Sequence, residues 1–123
     1  MRTLWVGTAG FAGAVARYGL DGLVGRHARG AFPWATLAVN LSGSFLLGLL
    51  FALFTERWVV DGDLRVALTV GFVGSYTTFS TFALETLRLG QDGRPALAVA
   101  NVVVSVVAGL LAVWAGMAVA RAF

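Results

Sequence analysis

The sequence predicts an all-α membrane protein with four transmembrane helices, the third of them broken in mid-membrane. Three observations carry this. The chain of 123 residues is 59% hydrophobic and only 12% charged, against about 45–50% and about 25% in soluble domains. Its apolar residues fall into four stretches separated by short polar connections, and a helix needs about 20 such residues to cross hydrocarbon. In the third stretch, Ser75, Thr77, Thr78, Ser80 and Thr81 crowd short hydroxyl side chains among Gly71, Gly74, Phe79 and Phe82. Lipid-facing surface avoids such density, because an unsatisfied polar atom in hydrocarbon costs several kcal/mol. The run therefore lines something wet or binds something polar, and it reads as the wall of an ion pathway.

One domain, 1–123, is expected, with spans at about 4–24, 34–55, 65–88 and 96–120. The first is interrupted by Arg17 and Asp21 and carries Gly7, Gly10 and Gly13 at spacing three, a stripe suited to close helix packing. Arg2, an apolar run and Ala14-Val15-Ala16 give it a superficial likeness to a cleaved signal peptide. Its glycine-rich rather than leucine-rich composition speaks against that. The second and fourth spans begin at Pro33 and Pro95, where a missing N–H is harmless. The third lies between Arg65 and Arg88. Trp5, Trp34 and Trp58 fall near span ends, as an interfacial aromatic belt requires; Trp114 does not.

The nine basic residues are all arginine and are scattered between apolar spans. A nucleic-acid partner, which needs a basic face, is not expected despite the basic isoelectric point. Four spans place both termini on one side, with Arg2, Arg57, Arg65 and Arg121. Arg17, Arg26, Arg29, Arg88 and Arg94 fall on the other. Five against four is almost no bias, and arginine bias is what sets orientation. The chain is expected to insert both ways up and to pair as an antiparallel, dual-topology homodimer, with a single weakly biased orientation as the alternative.

Gly74 and the β-branched hydroxyl residues after it are poor at holding a regular helix. A break around Gly74–Thr78 would free backbone carbonyls, which coordinate small hard cations such as Na⁺ when they point into a protein interior. An unbroken helix packed through small residues is the alternative. Phe79 and Phe82 are three apart and share a helix face. Their ring edges are positive and suit a small anion if hydroxyls such as Ser80 and Thr81 also donate; a pair of core phenylalanines is the plainer reading. The Asn40 amide has two N–H donors, which could dress an anion or bridge two helices. In the fourth span Asn101, Ser105 and Gly109 recur at spacing four, a packing stripe with Ser105 as a candidate pore contributor. Arg17 and Glu85 are the deepest charges, and intramembrane charges default to functional hypotheses. Arg17 could attract anions, cap a helix or snorkel. Glu85 is expected to pair with an arginine or to sit in a vestibule.

No enzyme is expected. The chain has no Cys, one His (His27) among loop-like residues, no paired buried carboxylates and no phosphate-binding loop.

Several segments together resemble the Fluc (also called CrcB) fluoride channels of bacteria. They are Gly13-Ala14-Val15-Ala16-Arg17-Tyr18, the stretch from Thr36 through Asn40 to Phe45, the Gly71–Phe82 run, and Glu85, with a weaker likeness over Asn101–Leu111. The resemblance implies a dual-topology homodimer of the bacterial inner membrane that exports fluoride passively through two pores. It implies that Phe79 and Phe82 are pore phenylalanines, Ser80 and Thr81 a polar track, and Asn40 a pore amide. Ser105 would be a pore serine, Arg17 and Glu85 vestibule residues, and the Gly74 and Thr77 carbonyls ligands of a structural Na⁺ at the dimer interface. The fourth span departs from the family's pattern at two positions, with Asn101 in the place of a tyrosine and Gly109 in the place of a second serine. A small multidrug exporter would need an intramembrane carboxylate, for which Glu85 is the main candidate. A membrane subunit without activity would leave the hydroxyls beside Phe79 and Phe82 unexplained.

Overall fold

The polar breaks between the apolar stretches become the turns of an all-helical chain. The computed structural model describes residues 1–123 and contains no strand. Helix α1 is Arg2–His27, α2 is Trp34–Arg57, α3 covers 62–76, α4 is Phe79–Gln91 and α5 is Pro95–Ala122. Helices α3 and α4 are two arms of one interrupted rod. Three segments, Trp34–Arg57, Gly62–Gln91 and Pro95–Ala122, are long and apolar enough to cross a membrane. The chain is a multi-pass membrane protein. Helix α1 has the length, at 26 residues, but its six glycines and its charges make it the least apolar of the four.

The helix boundaries follow local chemistry. Pro33 stands just before α2 and Pro95 at the first turn of α5. Asp61 caps α3, its carboxylate accepting from the N–H groups of Asp63 and Leu64. The last turn of α2, Leu53–Arg57, widens to a π-type turn. There the Phe54 carbonyl receives the Arg65 guanidinium at 2.6 Å. Gly30 (φ 88°) and Gly93 (φ 74°) supply the two left-handed turns that reverse the chain before α2 and α5, a conformation glycine adopts without steric cost.

Packing runs through glycine notches. A side chain at Gly48 would overlap the Val113 carbonyl, and one at Gly116 would overlap the Phe45 carbonyl, so α2 and α5 meet backbone to backbone. Ala52 and Ala120, both fully buried, continue this seam, and Leu53 and Phe54 close it. Helix α1 lies on α3 in the same way: a side chain at Gly13 would overlap the Phe72 carbonyl, and one at Gly71 would come within 2.8 Å of the Val6 carbonyl. Of the stripe read in the sequence, Gly10 and Gly13 face α3, whereas Gly7 meets nothing within 4 Å. Close backbone approach through small residues is how helices associate where lipid and core are equally apolar.

Ion pairs sit at the ends. Arg121 makes a two-pronged pair with Glu56 at 2.8 and 2.9 Å, and Arg2 pairs with Asp63 at 2.7 Å. Both are solvent-accessible, and screening by water leaves such pairs little net stabilisation. Most of α5 turns large apolar side chains outward, including Val103, Val106, Leu110 and Trp114.

Candidate ion pathway

The interruption between α3 and α4 organises the site. Helix α3 ends at Tyr76, Thr77 turns to extended backbone (φ −80°, ψ 158°), and Thr78 stays extended (φ −146°, ψ 110°). Thr78 then caps α4: its Oγ1 accepts from the Thr81 N–H at 3.2 Å and donates to Thr81 Oγ1 at 2.9 Å.

Asn40, on α2, holds the break open. Its Nδ2 donates to the Thr78 carbonyl at 3.0 Å, and its Oδ1 accepts from the Thr78 N–H at 2.8 Å. The amide thereby satisfies both backbone groups of one residue, as a neighbouring strand would. Of the two uses left open by the sequence, the structure displays the helix bridge, with one Nδ2 hydrogen uncommitted.

The same bonds release carbonyls. The Thr78 N–H would ordinarily return to the Gly74 carbonyl and the Thr81 N–H to the Thr77 carbonyl. Both are diverted, to Asn40 and to Thr78 Oγ1. The Gly74 and Thr77 oxygens therefore lack their helical donors and sit at the negative end of α3. Donors exposed at the start of α4 form the opposite pole. Arg17 reaches the region from α1, its Nε donating to the Ser75 carbonyl at 3.1 Å.

Phe79 and Phe82 lie on one face of α4, ring centroids 5.6 Å apart and tilted by 48°. Phe79 is 79% exposed, so in a single protomer this ring points away from the helix cluster. A cavity of about 220 Å³ beside it is lined by Asn40, Gly43, Ser44, Thr77, Thr78 and Phe79, with Leu47 and Val73. A second, of about 300 Å³, is lined by Arg17, Asp21, Thr36, Thr78 and Thr81, with Ala14, Tyr18 and Val39. The structure thus gathers Asn40, Thr77 and Phe79 on one side of the break, and Arg17 and Thr81 on the other. Ser80 is exposed and lies 3.5 Å from Thr78 Oγ1.

Glu85 takes no arginine partner. The Thr36 hydroxyl donates to its Oε1 at 2.9 Å, and its Oε2 is buried without a partner. Thr36 is 49 residues away in sequence, so this pairing had no local signal. Asn101 is 1% exposed and donates from Nδ2 to Thr86 Oγ1 at 2.9 Å. Ser105 donates to Asn101 Oδ1 at 3.4 Å. Asn101 joins α4 to α5, the Ser105 bond stays within α5, and neither residue lines either cavity. Three participants were given no site role from the sequence: Thr36, Asp21 and Tyr76, whose hydroxyl lies 2.7 Å from Ser42 Oγ. Thr78 carried a readable cue, since threonine before an apolar helical run is a helix cap.

The family model described as "CrcB-like protein, Camphor Resistance (CrcB)" matches residues 4–117. The chain belongs to the CrcB family. Among its relatives in that family, the "Fluoride-specific ion channel FluC" of Magnetococcus marinus is 50% identical over 121 residues, covering 98% of each chain. The FluC of Citrifermentans bemidjiense is 45% identical over 119 residues, covering 97% of this chain and 96% of its own. "FluC 2" of Geobacillus kaustophilus is 48% identical over 118 residues, covering 96% and 92%. The interrupted helix lies wholly inside the segment matched by the CrcB model.

Proposed function

We propose that this protein is a fluoride channel, not an enzyme, and that it exports F⁻ passively to protect the cell from fluoride toxicity. The observation that carries this reading is the interrupted α3–α4 rod, with hydroxyls and two phenylalanines packed at its break, in a chain so similar to proteins named fluoride-specific channels. Fluoride sheds part of its water and is held by hydroxyl donors of Ser80 and Thr81, by the free Asn40 N–H and by the edges of Phe79 and Phe82. Ring edges carry positive charge, and the start of α4 is a positive pole. Arg17 and Glu85 belong to the vestibules that flank this path.

The driving force is the F⁻ gradient together with the membrane potential. In an acidic medium HF enters as a neutral acid and ionises inside. The inside-negative potential then drives F⁻ outward with about 2.3 kcal/mol per charge per 100 mV. A single domain, 1–123, crosses the bacterial inner membrane four times. Two copies in opposite orientations form the working unit. The outward-pointing Phe79 supports this, because a partner protomer would cover it, and so does the near balance of arginines between the two sides.

Na⁺ fits the released carbonyls. Gly74 and Thr77 offer two oxygens per protomer without helical donors, and two protomers about a two-fold axis in the membrane would offer four. When bound, the ion supplies positive charge that ties the two broken helices together.

Two tests separate the parts of this reading. Reporter fusions after Phe123, one active only in the cytoplasm and one only outside it, are both expected to be active. Activity of a single type contradicts dual topology. The second test concerns Asp21, which shares the Arg17 cavity and forms no ion pair. Its carboxylate opposes an anion about 5–8 Å away by ~0.5–0.8 kcal/mol in water. Asp21→Asn is expected to raise F⁻ efflux about two- to fourfold at about 0.01 M salt and to change little at about 1 M, where the screening length is about 3 Å. Conduction itself is tested by potential-driven F⁻ efflux from liposomes.

A further inference from the structure

Gly43 faces the break rather than the α2–α5 seam. It is buried, and a methyl group there would overlap Thr77 Cγ2 and come within 3.1 Å of Tyr76 Cδ1. Neither neighbour is free to move aside. The Thr77 rotamer is fixed because its Oγ1 donates to the Val73 carbonyl at 3.1 Å, alongside the Thr77 N–H at 3.0 Å. The Tyr76 ring is buried and tethered through its hydroxyl to Ser42 Oγ at 2.7 Å. The bare Cα of Gly43 is therefore the notch into which the Thr77 methyl group is seated.

We propose that Gly43 is a positioning residue for the Thr77 carbonyl: the methyl-in-notch joint between α2 and the end of α3 fixes where the released oxygens of the break point. The proposal rests on the reading of those oxygens as the Na⁺ ligands. With both side chains locked, an added methyl at 43 has to displace backbone. The least restrained backbone in contact is Thr77, where helical bonding has ended. Asn40, one turn before Gly43 on α2, clamps Thr78. A shift at Thr77 therefore twists the peptide between a clamped residue and a pushed one, and turns the Thr77 oxygen away.

The joint can be moved from one helix to the other. Gly43→Ala adds a methyl on α2, and Thr77→Ser removes the one it strikes while keeping the hydroxyl on Val73 and the backbone carbonyl. Four proteins are compared: wild type, Gly43→Ala, Thr77→Ser and the double variant. Each is reconstituted as the full chain. F⁻ efflux is measured, together with the melting midpoint in Na⁺ against the midpoint in N-methylglucamine. Gly43→Ala is expected to lose about tenfold or more of the efflux and to lose the upward shift that Na⁺ gives the wild-type midpoint. The double variant is expected to recover both, to the level of Thr77→Ser. If Gly43→Ala does not fold, recovery of folding in the double variant is the supporting result. A double variant as impaired as Gly43→Ala, or a Gly43→Ala protein like wild type, overturns the proposal. A wild-type midpoint indifferent to Na⁺ refutes the cation reading alone, and the efflux rescue then still decides whether the joint sets the break.

Discussion

Asn40→Ala is expected to abolish fluoride conduction, reducing efflux by about 100-fold or more. The side chain makes two hydrogen bonds to Thr78, the second of the two extended residues of the break, 3.0 Å to its carbonyl and 2.8 Å from its N–H. Removing both leaves two part-buried backbone groups unpaired, at about 1–3 kcal/mol each. The chain escapes that cost by winding Thr78 back into a helix, with its N–H returned to the Gly74 carbonyl. Each 1.36 kcal/mol of bias is about a factor of ten, so two lost bonds account for about two decades. Asn40→Asp is expected to fail as well. It keeps an acceptor for the Thr78 N–H but sets a second oxygen against the Thr78 carbonyl. Liposome efflux rates check this, and a rate within about threefold of wild type for Asn40→Ala would show that the clamp is dispensable.

Gly48→Ala and Gly116→Ala carry the largest expected losses of stability. Each new methyl would overlap a carbonyl oxygen of the facing helix, Val113 for Gly48 and Phe45 for Gly116. Gly116 would in addition approach the Leu49 nitrogen at 2.7 Å. Backbone atoms cannot rotate away, so α2 and α5 have to separate along the seam that buries Ala52 and Ala120. The cost is about 3 kcal/mol or more for each, the upper end for an overpacked interior. Unfolding in mixed micelles should show it as an earlier transition, and the double variant should accumulate poorly in membranes. Gly90→Ala is the matched contrast. Nothing lies within 4 Å of that position, and alanine in place of a helical glycine is expected to stabilise by about 0.5–1 kcal/mol. Equal effects at Gly48 and Gly90 would contradict the packing described for the seam.

Much of the architecture was legible because it rests on local rules. Pro33 and Pro95 mark helix starts without reference to anything distant. The hydroxyl cluster from Ser75 to Thr81 marked where a break could fall while leaving an unbroken helix open, and the structure breaks there. What the sequence left open are the long-range pairings. Asn40 could be read as an anion donor or as a helix bridge because the same two N–H groups serve both, and only the register of α2 against the break shows which atoms they meet. Glu85 was expected to find an arginine or to sit in a vestibule, and its first partner is instead the Thr36 hydroxyl. The stripe at Gly7, Gly10 and Gly13 was one residue too generous, since the face of α1 laid on α3 runs through Val6, Gly10 and Gly13 and Gly7 is turned off it. The α2–α5 seam was missed, although Gly109 and Gly116, seven apart on one face, carried a cue. Helix α1 shows how a long helix can fall short on apolarity: glycines that bring it close to α3 also dilute its hydrophobic content.

The central claim is that alcohols and phenyl rings at a broken helix replace water around fluoride and not around a larger halide. Its most direct test is halide efflux from liposomes containing the purified protein. Vesicles are loaded with equal KF and KCl, the potential is set with a potassium ionophore, and both anions are followed by ion-selective electrodes. The expected result is fast release of F⁻ with Cl⁻ retained at the rate of protein-free vesicles. Retention of F⁻, or release of the two ions together, would contradict the account.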